Sequence, residues 1–197
     1  MAYSKQNFQN GQILNAANLE KMENGIIAGQ GARNLLVNSD FRNPIDIDNK
    51  IEATNVNLCF TRWNFERANP NTTTQIIKID NGIRVYKNGG QARFCQYCNY
   101  NLLGKTVSYA VGTAEGIFVG SCSVSTSSVF TRIGTHTGYL SVYHSSESGK
   151  TIFSLFFNNN TEDAIDLYWA ALYEGAYTKD TLPNYVPNLG LEENILS

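Results

Sequence analysis

The two histidines of the chain, His136 and His144, are its clearest candidates for acid–base chemistry. They stand on flanking strand segments where their rings could meet, but no spacing fixes a base beside a nucleophile. A glycosidase needs only two carboxylates roughly 5–10 Å apart, and the chain offers 17 acidic residues. Because spacing along a β chain does not select such a pair, the sequence favours a protein that is not an enzyme, with glycan cleavage as an alternative.

Cys95 and Cys98 form a C-x-x-C motif, which invites a zinc or a redox interpretation. Common zinc sites need a second ligand pair at similar spacing, and neither histidine supplies one. A thioredoxin-like motif begins a helix, whereas Arg93–Cys98 has the pattern of a strand. The acidic stretch Asp46–Glu52 departs from the EF-hand pattern and is interpreted as a solvated loop. We therefore expect packed thiols, no metal and no cofactor.

Flat aromatic side chains beside amides and hydroxyls are the surface expected of a sugar-binding site, by analogy with other binding loops. Two patches of the sequence fit this description. Their candidate carbohydrate-binding residues are His136, Tyr139, Tyr143 and His144 in the first patch, and Tyr97 and Tyr100 in the second. Tyr139 and Tyr143 are an even number of residues apart, so they could instead line the core face of one strand. Trp63 and Trp169 each lie within an apolar alternation and are predicted to be core residues.

The periodicity of apolar residues predicts one short helix followed only by strands. Near residues 29–31 the apolar spacing changes from every three or four positions to every two. Leu19, Met22 and Ile26 have the spacing of a coiled-coil seam, on a helix of roughly 9–14 residues that is marginal alone. We expect this stripe to join copies of the chain, although it could pack on the chain's own β domain. The predicted domains are an oligomerisation or attachment segment at 1–31 and a β domain at 32–197.

Strand candidates follow one another at regular intervals in the β domain. They are Cys59–Phe65, Gln75–Asp80, Ile83–Tyr86, Ala92–Cys98, Thr106–Val111, Ile117–Val124, Val129–Ile133, Tyr139–Tyr143, Thr151–Phe157 and Ala164–Tyr173. Asn81-Gly82 is the clearest hairpin signal, and in the last strand the odd-numbered residues 165–173 are predicted to share a face. This pattern predicts an all-β fold, an antiparallel β-sandwich of the jelly-roll kind, preceded by the short N-terminal α-helix.

Composition excludes several classes of partner. The formal net charge is −2 and charged residues make up 16% of the chain, with no basic block of the kind that contacts phosphates, so we expect no nucleic acid. No stretch approaches the ~20 apolar residues of a membrane helix, so we expect no membrane insertion. The N-terminus lacks the order of a secretion signal, which predicts synthesis in a cytoplasm without classical export.

Several segments together resemble a β-sandwich domain found at the ends of bacteriophage tail fibres and receptor-binding proteins. They are Asn34–Phe41 (NLLVNSDF) with Asn43-Pro44, Thr61-Arg62-Trp63, Leu103–Ser108 (LGKTVS), Tyr168–Gly175 (YWAALYEG) and Leu182–Pro187 (LPNYVP). Asn10–Ala16 (NGQILNA), with the stripe that follows it, resembles the short helical leader of many phage tail and baseplate proteins.

The resemblance implies a homotrimer in the virion tail whose distal domain binds a polysaccharide of the host cell surface. Joining several copies would make weak single-site sugar binding useful, because linkage raises the effective concentration. Other tail or baseplate proteins are the further partners that it implies. The alternatives are a structural tail or baseplate adaptor that binds only virion proteins and, third, a glycan-degrading depolymerase.

Overall fold

A computed structural model describes residues 32–41, 50–52, 63–67, 73–157 and 162–187. The chain divides into two compact units, Met1–Arg33 and Asn34–Ser197. The described residues belong almost wholly to the second unit. The predicted helix with Leu19, Met22 and Ile26 lies outside them, as does most of the acidic stretch at 46–52.

The described part of the chain is all-β, with eleven strands and no helix. The strands are β1 (Lys50–Glu52), β2 (Asn64–Arg67), β3 (Thr73–Ile79), β4 (Gly82–Asn88), β5 (Ala92–Tyr97), β6 (Thr106–Thr113), β7 (Gly116–Ser123), β8 (Val129–Arg132), β9 (Gly138–Ser145), β10 (Lys150–Phe157) and β11 (Asp163–Glu174). They form a six-stranded sheet, β1-β3-β4-β11-β6-β7, and a five-stranded sheet, β2-β5-β10-β9-β8. Every pairing between strands is antiparallel.

The predicted strands from residue 75 onward are confirmed, with their ends displaced by one or two residues. The predicted solvated loop at Asp46–Glu52 is wrong at Lys50–Glu52, because these residues pair with β3 as a short edge strand. The hairpin between β3 and β4 is also displaced by one residue. Ile79 pairs with Gly82, so the two turn residues are Asp80 and Asn81.

Both sheets contribute residues to one hydrophobic core. Its members include Ile83, Val85, Val107, Tyr109, Val111, Ile165 and Leu167 from the six-stranded sheet, and Phe94, Leu140, Val142, Phe153, Leu155 and Phe157 from the five-stranded sheet. We call the face of each sheet that carries these residues its inner face, and the opposite one its outer face. Trp63 is 1% exposed and stacks on Phe94 with ring centroids 4.7 Å apart, so its predicted core position is confirmed.

The prediction that Trp169 is a core residue is wrong. Leu167 pairs with Thr113 but Trp169 pairs with Gly112, so β11 contains a bulge at Tyr168. One additional residue reverses the alternation beyond that point. Trp169 therefore lies half-buried on the outer face, and the predicted shared face of residues 165–173 is split.

The leading segment 34–41 joins the two sheets. The Asn34 side chain donates to the Ala170 carbonyl oxygen at 3.1 Å and accepts from the Leu172 amide at 3.0 Å. The Gln96 side chain of the five-stranded sheet accepts from the Val37 amide and donates to the Val37 carbonyl oxygen, both at 2.8 Å. The Asn34 bonds satisfy backbone groups of β11 beyond the end of its pairing with β4, and the Gln96 bonds satisfy those of Val37.

The segment after β11 folds back over the outer face of the six-stranded sheet. Tyr177 packs edge-on against Tyr173, and its amide donates to the Ser108 hydroxyl at 2.7 Å. Tyr185 stacks on Trp169 with ring centroids 4.7 Å apart. This cover explains why an aromatic residue such as Tyr173 is buried although it points away from the core, and burial raises its pKa to about 12.

We expect Gly82→Ala to lower the free energy of unfolding by about 2 kcal/mol, because overpacking against a rigid neighbour is costly. A Cβ at Gly82 would collide with the Leu167 carbonyl oxygen, a backbone atom that cannot rotate away. Gly149→Ala is the control, since its φ is also positive but no atom lies within 4 Å of its Cβ position. If urea denaturation showed equal losses of unfolding free energy in the two variants, the contact with β11 would be unimportant.

Candidate functional site

An open cleft of about 360 Å³ lies on the outer face of the six-stranded sheet, beside the β6–β7 turn. We call it the His136 cleft. It is lined by Arg84, Tyr86, Thr113, Ala114, Glu115, His136, Ala164 and Asp166. Its walls come from three neighbouring strands, β4, β11 and β6, and from two connections, so residues far apart in sequence meet there.

Arg84 and Asp166 form one wall of the cleft. They are paired across β4 and β11, and two nitrogens of the guanidinium contact the two carboxylate oxygens at 2.6 and 2.8 Å. The hydrogen bond from Arg84, aided by its charge, holds the pKa of Asp166 below its usual value. The Arg84 side chain is 51% exposed, so part of its planar donor group is open to a ligand.

His136 forms the opposite wall and lies between two carboxylates. Its Nε2 is 3.0 Å from Oε1 of Glu115, and its Nδ1 is 2.9 Å from Oδ1 of Asp163. Each ring nitrogen thus faces one carboxylate oxygen at hydrogen-bond distance. The ring therefore joins the β6–β7 turn to the start of β11.

Asp163 anchors the connection between β8 and β9 from behind the cleft. Its Oδ2 accepts from the Thr137 amide at 2.7 Å and from the Thr137 hydroxyl at 2.8 Å. Burial alone would raise the pKa of Asp163, but the hydrogen bonds from His136 and Thr137 together outweigh it, and the pKa is lowered. Asp163 is thus a carboxylate that positions the His136 ring and is not itself part of the cleft lining.

Local turn chemistry places Glu115 against this ring. Ala114 and Glu115 form a two-residue turn between Thr113 and Gly116, which pair across β6 and β7. Gly116 has a φ of 123°, a conformation that side chains disfavour. Glu115 also accepts from the Thr135 hydroxyl at 2.9 Å, which fixes its carboxylate toward the cleft.

The cleft combines several hydrogen-bonding groups with one aromatic ring. Tyr86 has its pKa raised, first by burial and then by the nearby charge of Glu162. Its ring offers an apolar surface beside carboxylate oxygens, a guanidinium and an imidazole. Polar groups that converge around an aromatic surface suit a ligand rich in hydroxyl groups.

Three of the predicted sugar-binding residues lie on the outer face of the five-stranded sheet. Tyr139 and Tyr143 alternate with the core residues Leu140 and Val142 of β9. The interpretation that they line the core face is therefore wrong. Tyr97 of β5 shares the outer face, because it pairs with Ile152, which in turn pairs with Tyr143. One residue of the second predicted patch therefore shares a face with two residues of the first.

The remaining predicted site residues are scattered. His136 lies in the cleft, just before β9 begins. His144 is 8% exposed near the other end of β9, and at the rise of a strand it lies about 20 Å from the first residue of β9. Its side chain points to the inner face, where Nδ1 is buried and has no hydrogen-bond partner among the described residues. Tyr100 is 38% exposed in the connection between β5 and β6. His144 and Tyr100 therefore do not join either surface.

The cysteines of the C-x-x-C motif point to opposite faces of the five-stranded sheet. Cys98 belongs to the core, whereas Cys95 pairs with Ser154 on the outer side. Burial raises the pKa of the Cys98 thiol to about 12, which makes a reactive thiolate unfavourable. Within the described ranges, no group of three or more His, Cys, Asp or Glu side chains is arranged to hold a metal ion.

Most of the residues that line the cleft were not predicted from the sequence. Arg84 and Asp166 each interrupt an apolar alternation with a charge, a signal that places them on an outer face. What the sequence does not show is that β4 and β11 are neighbours. Glu115 sits in a turn, where acidic residues are common and carry no specific signal.

Comparison of the chain with protein-family models, curated proteins and solved structures found no match in any of the three. Among the described residues, no helix has the length and apolar character needed to cross a membrane.

Proposed function

We propose that this chain is a receptor-binding component of a bacteriophage tail fibre that binds a glycan of the host cell surface in the His136 cleft. The observation that carries the proposal is the convergence of Arg84, Asp166, Glu115 and His136 around the Tyr86 ring. Sugar hydroxyls both donate and accept hydrogen bonds. Two carboxylates can accept from them, and a half-exposed guanidinium can donate to them.

The segments that resemble tail-fibre proteins meet in the folded chain, which supports the proposal. Asn34 in the leading segment bonds to the backbone of the closing strand at Ala170 and Leu172. Tyr185 of the final segment stacks on Trp169, and its hydroxyl lies 3.0 Å from the Ser39 hydroxyl. Residues that resemble a family in three separate places therefore belong to one structural unit.

The proposed architecture is a jelly-roll-like β-sandwich, because two antiparallel sheets contribute to one core. We propose that the N-terminal segment holds three copies together or attaches them to other tail proteins. The cleft offers one modest binding site per chain, and three linked sites would raise the effective concentration at a repetitive polysaccharide.

A glycan array probed with the oligomeric full-length chain tests the function. The proposal predicts selective retention of one class of bacterial surface glycan. Absence of any retained glycan, together with capture of the chain by purified tail or baseplate proteins, would favour the adaptor instead. Release of reducing ends from host cell walls would show a depolymerase.

Arg84→Ala is expected to weaken binding of the glycan selected by the array about tenfold or more, as loss of a central polar contact does. The free energy of unfolding of this variant should differ from that of wild type by less than about 1 kcal/mol, because exposed ion pairs contribute little. Lys105→Ala is the matched control, since it removes an exposed ion pair with Glu174 (3.1 Å) outside the cleft lining. Isothermal titration calorimetry measures the glycan affinity of both variants. Equal losses of affinity would contradict a site in the cleft.

The double substitution of Met22 and Ile26 by aspartate should shift the mass measured in solution from that of three copies toward that of one. Each buried apolar side chain is worth about 1.5–3 kcal/mol, and a charge at that position could not be buried unpaired. Light scattering measures the mass, and the wild-type chain should give about three times 21.9 kDa. An unchanged mass would show that the β domains hold the oligomer without the helix.

A further inference from the structure

The outer face of the five-stranded sheet carries a second surface that is separate from the His136 cleft. Strand register aligns one row of side chains across four strands. Arg132 of β8 pairs with Tyr139, Tyr139 with Phe156, and Phe156 with Arg93. Neighbouring strands are about 4.8 Å apart, so the row extends for about 14 Å. We call it the transverse row.

The middle of the transverse row is aromatic and partly exposed, since Tyr139 and Phe156 are half-buried. Phe130 stands two residues before Arg132 on the same face, and its ring centroid lies 6.1 Å from that of Tyr139 and 5.8 Å from that of Phe156. Phe130 is 51% exposed. Three clustered rings, of which that of Phe130 is largely exposed, form an apolar surface of the kind that marks an interaction site.

Three basic residues lie on this face by strand register. They are Arg93, Arg132 and Lys150. Arg132 is exposed and has no ion-pair partner among the described residues. Arg93 stacks against Tyr143, with its guanidinium carbon 5.9 Å from the ring centroid, and donates to the Tyr143 hydroxyl. In the register Arg93 pairs with Glu66 of β2, so Arg132 is the stronger anion-binding candidate.

Ring stacking and a free guanidinium select together for one ligand chemistry. The aromatic cluster suits the apolar face of a sugar ring, and Arg132 suits a carboxylate, which a guanidinium binds with two parallel hydrogen bonds. A neutral glycan would use the rings alone. A phosphodiester chain without sugar rings would use the arginine alone.

We propose that the transverse row binds an acidic polysaccharide built from uronate rings, which stack on Phe130, Tyr139 and Phe156 while a carboxylate pairs with Arg132. The length of the row suits an oligosaccharide better than a single sugar. This surface is independent of the cleft, which lies on the outer face of the other sheet.

Calorimetric titration of the full-length chain with pentagalacturonate and with its methyl ester tests the proposal. The acid should bind, and the ester, which keeps the rings but loses the charge, should bind about tenfold more weakly or worse. Phe130→Ala and Arg132→Gln should each weaken binding of the acid about tenfold. Thermal unfolding of both variants should stay close to wild type, because both side chains are exposed.

Two control variants separate this surface from general effects. Ile117→Ala removes an apolar side chain that is 39% exposed on the other sheet, and Lys105→Gln removes an exposed cation outside the row. Both should bind the acid as wild type does.

Four results would overturn the proposal. They are equal binding of the acid and the ester, no binding of the acid at millimolar concentration, tighter binding of a single-stranded oligothymidylate, and a mass that rises with concentration only while Phe130 is present. The third would identify a nucleic-acid surface and the fourth a contact between two copies of the chain.

Discussion

Trp63→Ala is expected to lower the free energy of unfolding by about 3–5 kcal/mol, as truncation of a fully buried aromatic residue does. Trp63 is 1% exposed and contacts the rings of Phe41, Phe94 and Phe153. Its Nε1 donates to the Asn38 carbonyl oxygen at 3.1 Å, and the truncation would leave that acceptor buried without this donor. Urea denaturation of the full-length chain measures the loss.

Trp169→Ala is the matched control for this prediction. Trp169 is half-buried on an outer face and stacks on Tyr185 alone among the described aromatic rings. Loss of one such aromatic pair costs about 1 kcal/mol. If Trp63→Ala and Trp169→Ala lost equal stability, the placement of Trp169 on the outer face beyond the bulge would be wrong.

Asp163→Asn should destabilise the chain by about 3 kcal/mol, because it removes one charged partner from a largely buried charge network. The Asp163 side chain is 11% exposed and contacts His136. It also pairs in the register with Lys87, which is fully buried and whose pKa is lowered by desolvation and partly restored by the charge of Asp163. Asp166→Asn is the control, since Asp166 pairs with the exposed Arg84.

The effect of Asp163 should depend on pH with a definite sign. Its folded-state pKa is lowered, so the stability that it provides is present above the usual aspartate pKa of about 4 and is lost as the pH falls through the folded-state value. The difference in unfolding free energy between wild type and Asp163→Asn should therefore narrow below about pH 4. A difference that widens toward acid would contradict the assignment of Asp163 as the ionised anchor of His136.

The strands were predictable because their signal is local. Alternation with a period of two gave every strand from β3 to β11, and the Asn81-Gly82 signal placed the first hairpin within one residue. The bulge at Tyr168 was not predictable, since nothing near it distinguishes an additional residue from the regular pattern. A single such residue was enough to reverse the face of Trp169.

The cleft could not be assembled from the sequence because its residues meet through non-local pairing. Arg84 and Asp166 are 82 residues apart, and only the order of strands in the sheet makes them neighbours. His136 was identified from its residue type, but its two carboxylate partners come from other elements. The sequence does not show that Tyr97 shares a face with Tyr139 and Tyr143, because this depends on β10 lying between β5 and β9.

The most direct test of glycan binding in the cleft uses the two histidines of the chain as reporters. Imidazole nuclear magnetic resonance signals of the full-length chain, assigned with His136→Gln and His144→Gln, are recorded with and without the glycan selected by the array. The proposal predicts that the signals of His136 shift and those of the distant, buried His144 do not. Shifts at His144 alone, or at neither ring while calorimetry shows binding, would contradict a glycan site in the His136 cleft.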